Sequence, residues 1–506
     1  MRQRHLCSAA LGLVVALLLA SAALVQAQIQ GPYVPGEVLV KFRAGMTGPG
    51  IERAKSRHGA REAGSIEGLQ VKKLKVRTAS IEKTLAKLKA DPEVLYAEPN
   101  YIVSALAITP DDPYFSGSYT GAFMTGSQWG PQMIQAPEAW GITQGLASVI
   151  IAINDTGVDG SHPDLAGKLA AGTSFIAGQS ELADGFGHGT HVAGIAAAAT
   201  NNSTGIAGLG WNCKIMPIKV LDNASGSGTN FQVAQGVMWA ADHGAKVINM
   251  SYGGTAYSQT EQDAINYAYG LGCVMVGAAG NGGNSAINYP GGCNYVMGIG
   301  ATTATDGRAS FSTYGRHVAF GAPGAGILSL LPTYDSYLST RSGYNTSYDF
   351  LSGTSMSTPH AAGAAALYLS YATTATALEV RQALEKSADA IGAYSNWNKY
   401  LGYGRLNIYK ALQGEYGSGR STTSGSIVGQ ITYLGSAVNS ASLTLLRNGR
   451  SVSKLKTDKS GCYRFANIAA GSGYSLKVVV RSLQRTVTIS DITVPAACDA
   501  QVDGAM

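Results

Sequence analysis

Between residues 106 and 415, short apolar runs alternate with longer segments of helical spacing, and this alternation constrains the chain more than any other feature. Ser148–Asn154, Ile215–Leu221, Lys246–Ser251 and Cys273–Ala278 read as strands, with helical stretches such as Phe231–His243 between them. Near-continuous apolar strands are buried on both faces, and crossover helices join them into parallel pairs. The expected fold class is therefore α/β, a doubly wound, mostly parallel sheet. In such sheets reactive groups belong at the carboxyl ends of the strands.

The flanks have a different character. Arg2 and Arg4 open a basic start, an apolar stretch follows, and Val25-Gln26-Ala27 supplies small residues before Gln28. This predicts a signal peptide over 1–27 rather than a retained anchor, and a secreted chain with no membrane contact after signal removal. Residues 28–105 carry a strand pattern at Glu37–Phe42 and a helical one at Ile81–Leu88, predicting a small α+β module. The Gly/Ser/Thr-rich stretch 416–426 reads as a linker. Residues 427–506 then read as a β-sandwich, with Asn448-Gly449 between two strand-like runs as a hairpin signal.

Composition removes several classes. With 45% hydrophobic residues the chain has material for packed cores and is not disordered. The net charge of +6 comes without a long basic run interleaved with aromatics, so no nucleic-acid partner is expected. Loss of Cys7 with the signal leaves five cysteines in a compartment that permits disulfides. The expected pairs are Cys273–Cys293 and Cys462–Cys498, with Cys213 a buried thiol. No Cys-x-x-Cys pair is present to suggest zinc.

Three motifs carry chemistry. The first predicted strand runs into Asp155-Thr156-Gly157, which puts a carboxylate at a strand end. Aspartic proteases also use Asp-Thr-Gly, but their chemistry needs two carboxylates sharing a proton, and no second Asp-Ser/Thr-Gly occurs. Gly187-His188-Gly189-Thr190-His191 opens a helix of small residues. A histidine at a helix N-terminus is disfavoured as imidazolium and so suited to act as a base. The pair His188 and His191 lacks the Glu of the metalloprotease pattern. Gly353-Thr354-Ser355-Met356-Ser357-Thr358-Pro359 opens an Ala-rich helix with Pro359 near its first turn, which puts Ser355 beside unpaired N–H groups. Taken singly, Asp155 suits a turn and Ser355 suits a helix cap.

Together, an aspartate, a histidine and a serine in this order resemble the subtilisin family of serine proteases, most like its thermitase branch. Supporting stretches are Asp112–Phe115, Ile134–Trp140, Thr200–Gly208 and Phe311–Gly315, and the resemblance covers roughly residues 110–412. It implies a serine endopeptidase in which Ser355 attacks the carbonyl, His188 moves the proton and Asp155 orients His188. It implies Asn281 as an oxyanion donor, a residue that otherwise reads as a turn. Gly226, Ser227 and Gly228, with Ser251, Tyr252, Gly253 and Gly254, match two backbone segments that flank an extended peptide. The family usually has Leu where Tyr252 stands. Expected substrates are unfolded or flexible proteins and peptides, cut after large apolar residues.

The same resemblance implies a structural calcium ion held by Asp112, Asp164 and Asn202 with the carbonyls of Ala199, Thr204 and Ile206. A second site in the loop before His188 is too poor in carboxylates to expect. Residues 28–105 resemble an inhibitory propeptide that occupies the cleft and is removed autocatalytically between Asn100 and Asp111. The last module resembles carboxypeptidase-regulatory or prealbumin-like sandwiches. The expectation is a secreted monomeric zymogen. The competing reading is an inactive relative that binds extracellular partners through its sandwich.

Overall fold

The structure, a computed structural model, describes residues 33–77, 81–101 and 107–506, in two compact units. The expected signal peptide and residues 102–106 of the expected cleavage window lie outside the described residues.

In the first unit four antiparallel strands are ordered Arg61–Ile66, Val71–Lys75, Tyr33–Phe42, Val94–Tyr101. Alternation in the Tyr33–Phe42 strand turns Val38, Val40 and Phe42 inward, where they meet Ala54, Leu85 and Leu88 of two helices, Gly48–Arg57 and Ile81–Ala90. The expected α+β module is thus formed.

The second unit is built on seven parallel strands: β1 (Ile150–Asp155), β2 (Thr173–Ser174), β3 (Lys214–Lys219), β4 (Val247–Met250), β5 (Val274–Ala278), β6 (Val296–Thr302) and β7 (Val318–Pro323). Their order is β7-β6-β5-β4-β1-β3-β2. The chain leaves β1 toward β3, then crosses to β4 on the other side of β1. The β1/β4 boundary is therefore the topological switch point, and a crevice opens there at the carboxyl ends.

Helices α1 (His188–Ala197) and α4 (Thr354–Tyr371) cover one face; α2 (Asn230–Asp242) and α3 (Gln259–Gly270) cover the other. Small residues let α1 and α4 pack closely: a Cβ added to Gly363 would stand 2.8 Å from the carbonyl oxygen of Ala196.

After residue 423 the chain forms two further sheets. One is centred on Ser424–Tyr433 and the other on Ser442–Arg447 and Gly471–Val480, with Ile427, Leu445, Phe465 and Leu476 in the core between them. Asn448 and Gly449 both adopt positive φ, 49° and 78°, as the predicted two-residue hairpin requires.

The expected disulfides are not formed. Cys213, Cys273, Cys293, Cys462 and Cys498 are all free and buried. Tertiary structure parts the expected partners: the Cys273 thiol donates to the Ala245 carbonyl at 3.2 Å, while Cys293 and Cys462 line one small cavity between sandwich and sheet. Cys213 is the buried thiol expected, 3.8 Å from the Ser370 hydroxyl.

Candidate active site

Asp155 ends β1 at the switch point and is fully buried. One carboxylate oxygen accepts from His188 Nδ1 at 2.7 Å and from the Thr156 N–H at 2.8 Å. The other is buried without a partner. Burial works against charging His188, but the Asp155 carboxylate outweighs it and raises the imidazole above its ordinary value. This differs from the helix-dipole expectation, because a full charge at contact distance exceeds the partial charge of a helix end.

What fixes His188 is a residue the sequence reading passed over. Buried Asp184 accepts from the Gly187 N–H, the Thr156 hydroxyl, and the Thr190 N–H and hydroxyl, at 2.7–2.8 Å. It thereby ties the start of α1 to the end of β1. Gly189 is needed at this junction, since a Cβ there would stand 2.1 Å from the Gly157 carbonyl oxygen. His191 is fully buried and its Nε2–H donates to the Asp349 carbonyl at 3.2 Å, with burial holding it down to about 3. Among the described residues no cluster of three or more His, Cys, Asp or Glu could hold a metal.

Across the crevice, Ser355 is the second residue of α4. Pro359 stands inside this helix, one turn later than expected. Lacking an N–H, it leaves the Ser355 carbonyl without its helical donor. The Ser251 hydroxyl donates to that carbonyl instead, at 2.9 Å, while the Ser355 hydroxyl donates to the Ser251 carbonyl at 2.9 Å. No hydrogen bond joins His188 to Ser355 among the described residues. Catalytic hydrogen bonds are often loose without substrate.

Asn281 is placed by Thr354, another residue that sequence reasoning missed. The Thr354 N–H and hydroxyl donate to Asn281 Oδ1 at 2.8 and 2.9 Å. An N–H can only donate, so the oxygen must face Thr354 and the amide NH₂ is turned away. That NH₂ lies near Gly353, beside the first turn of α4, whose N–H groups have no intrahelical acceptor.

The segments 226–228 and 251–254 border a pocket of about 370 Å³ with His188 at its edge. Tyr252 and Glu261 lie in its wall. At Gly226, with φ 63°, a Cβ would collide with the Phe186 ring at 2.7 Å.

Away from the crevice, Asp112 and Asp164 converge on the loop 199–206. Asp112 accepts from the N–H groups of Asn201 and Asn202 at 2.8 and 3.3 Å. Asp164 accepts from Asn202 Nδ2 and the Ile206 N–H, both at 2.9 Å. Burial foremost, with the Asp112 charge nearby, pushes Asp164 up to about 6. Both carboxylates are buried and neither has an ion pair to a basic side chain among the described residues, and carboxylate oxygens suit a hard divalent cation.

Residues 147–404 match the profile of the Subtilase family, and residues 20–100 match the Fervidolysin N-terminal prodomain. The chain is 48% identical over 305 residues to thermitase of Thermoactinomyces vulgaris, spanning 60% of this chain and 99% of that protein. It is 31% identical over 478 residues to fervidolysin of Fervidobacterium pennivorans, spanning 87% of this chain and 67% of that one. The crystal structure of fervidolysin, described as a keratinolytic enzyme related to subtilisin, has a TM-score of 0.55 and 26% identity. It covers 94% of this chain and 79% of that chain.

Proposed function

Since the chain belongs to the subtilase family, we propose that Asp155, His188 and Ser355 are its catalytic triad and that Asn281 donates to the oxyanion. The protein is a serine-type endopeptidase with an N-terminal prodomain. In the proposed mechanism Ser355 Oγ bonds to the scissile carbonyl carbon while its proton passes to His188 Nε2. Asp155 holds Nδ1–H and balances the imidazolium. The carbonyl oxygen, now an oxyanion, accepts from Asn281 Nδ2 and the Ser355 N–H. His188 then gives the proton to the leaving amine, and water repeats the sequence to free the acid and restore Ser355. The observation that carries this reading is the 2.7 Å Asp155–His188 contact at the switch point, facing the Ser355–Ser251 pair. Casein digestion should stop when a serine-directed acylating inhibitor labels Ser355; digestion that survives complete labelling would sink the assignment.

Because the Asp155 charge raises His188, kcat/KM should climb with pH through a midpoint above the ordinary ~6.5, as the base must be neutral. A pH–rate profile with its acid limb at or below that value counts against the pairing.

Signal removal at residue 27 and cleavage between Asn100 and Asp111 would release a secreted enzyme from its propeptide, which acts as its intramolecular inhibitor. Among the described residues no helix is long and apolar enough to cross a membrane. Extended, flexible substrates would pair with residues 226–228 and 251–254, with a large apolar residue before the cleaved bond. Asp112, Asp164 and Asn202, with the carbonyls of Ala199, Thr204 and Ile206, would hold a Ca²⁺ that neutralises the two carboxylates. A chelator should then lower the melting temperature, and added Ca²⁺ restore it. Identical melting curves with and without chelator would rule that site out.

A further inference from the structure

Helix α3 begins with Ser258 as its cap and Glu261 three residues on, the sequence of a capping box. Only half the box is made: the Glu261 N–H donates to Ser258 Oγ at 3.3 Å, but the Glu261 carboxylate does not reach back to the Ser258 N–H. At Thr229/Gln232, Ser336/Ser339 and Thr376/Glu379 the reciprocal bond is present. At α3 the carboxyl is turned instead into the wall of the pocket between residues 226–228 and 251–254. There Glu261 is 3% exposed, with no hydrogen bond or ion pair to its carboxyl among the described residues. An unpaired buried carboxyl is costly, and its cap bond has been given up as well. Leu221, Val233, Tyr252 and Tyr289 supply apolar wall along the way to it.

We infer that Glu261 makes this pocket a subsite for a basic side chain, lysine or arginine, in the substrate segment upstream of the cleaved bond. The apolar wall suits the side-chain stem, and the carboxylate supplies the charge-assisted acceptor at its end. This rests on the peptide-binding role proposed for the two flanking segments. It is distinct from the apolar preference expected at the cleaved bond itself.

Burial alone pushes the Glu261 carboxyl up to about 7, so it is neutral in mild acid and charged in mild base. The groups that sense its charge are the Tyr252 hydroxyl and the Cys293 thiol, both held well above their ordinary values by burial and so uncharged throughout. His188, at the pocket edge, also titrates, but its effect cancels in a ratio between two substrates.

Peptides carrying Lys, Arg, norleucine or Glu in turn at each of the four positions before the cleaved bond provide the test, at pH 5.5 and 8.5. Competent enzyme is counted by titration with a serine-directed acylating inhibitor. At one position the Lys:norleucine ratio of kcat/KM should rise roughly tenfold or more between the two pH values, as for a hydrogen bond to a charged group. Glu261→Gln should flatten that rise while keeping the side chain's size. Wild-type enzyme that is titrated by the inhibitor but shows a flat ratio at all four positions overturns this inference alone. Wild-type protein that the inhibitor does not label overturns the catalytic reading and this inference together.

Discussion

Ser355→Ala is expected to lower kcat by on the order of 10⁶, whereas Asn281→Ala should lower it by about 10²–10³. The asymmetry follows from what each atom supplies. In the proposed mechanism Ser355 Oγ forms the covalent bond, so nothing would replace it. Asn281 Nδ2 would supply one of two donors to the oxyanion, and the backbone N–H at the start of α4 would stay in place without it. Thr354 ties these together, since it holds the Asn281 carbonyl oxygen and precedes Ser355 in the same turn. Burst kinetics on an activated ester separate the two variants. Equal, mild losses would refute both assignments. The Ser355→Ala protein purified alone should also keep its prodomain uncut, and trimming between Asn100 and Asp111 would exclude self-processing.

Asp499→Ala is expected to destabilise the second unit by about 3–5 kcal/mol, the cost of leaving buried charges unpaired. Asp499 lies in the sandwich and is fully buried. It accepts from Arg464 at 2.6 and 2.8 Å, from Arg381 at 2.6 Å and from the Tyr403 hydroxyl at 2.8 Å. Its N–H donates to Glu385 at 2.8 Å, and Glu385 accepts in turn from Arg381 at 2.9 Å. Burial opposes the charge on Asp499, yet the Arg464 and Arg381 guanidiniums hold it below the ordinary carboxylate range. Burial and the Asp499 charge push Glu385 up. Removing Asp499 leaves the Arg381 and Arg464 guanidiniums buried with only Glu385 to balance them, and takes three hydrogen-bond acceptor contacts from the two arginines. Unfolding measured in the Ser355→Ala background, where autolysis is absent, reads the loss. A change within about 0.5 kcal/mol, as for an ordinary surface substitution, would show that the network contributes no net stability.

The network also shows where the sequence stopped being informative. Arg381 and Glu385 are four apart on one helix, but Arg464 and Asp499 come from distant strands that no local pattern links to them. Cys293 and Cys462 share a cavity for the same reason, although neither was the other's expected partner. Asp184 and Thr354 position the candidate site through hydrogen bonds whose partners become neighbours only after the sheet forms.

The sequence by itself determined the parallel sheet, the small α+β module before it, the Asn448-Gly449 hairpin and the stretches that hold Asp155, His188 and Ser355. These are local matters: burial on two faces selects apolar runs, and turns and helix starts select particular residues within a few positions. Tertiary structure alone decided the free thiols, the Asp499 cluster, the second-turn position of Pro359 with its freed Ser355 carbonyl, and the turning of Glu261 into the pocket. Each depends on which distant groups come into contact, and on whether desolvation there is offset by a partner or left standing.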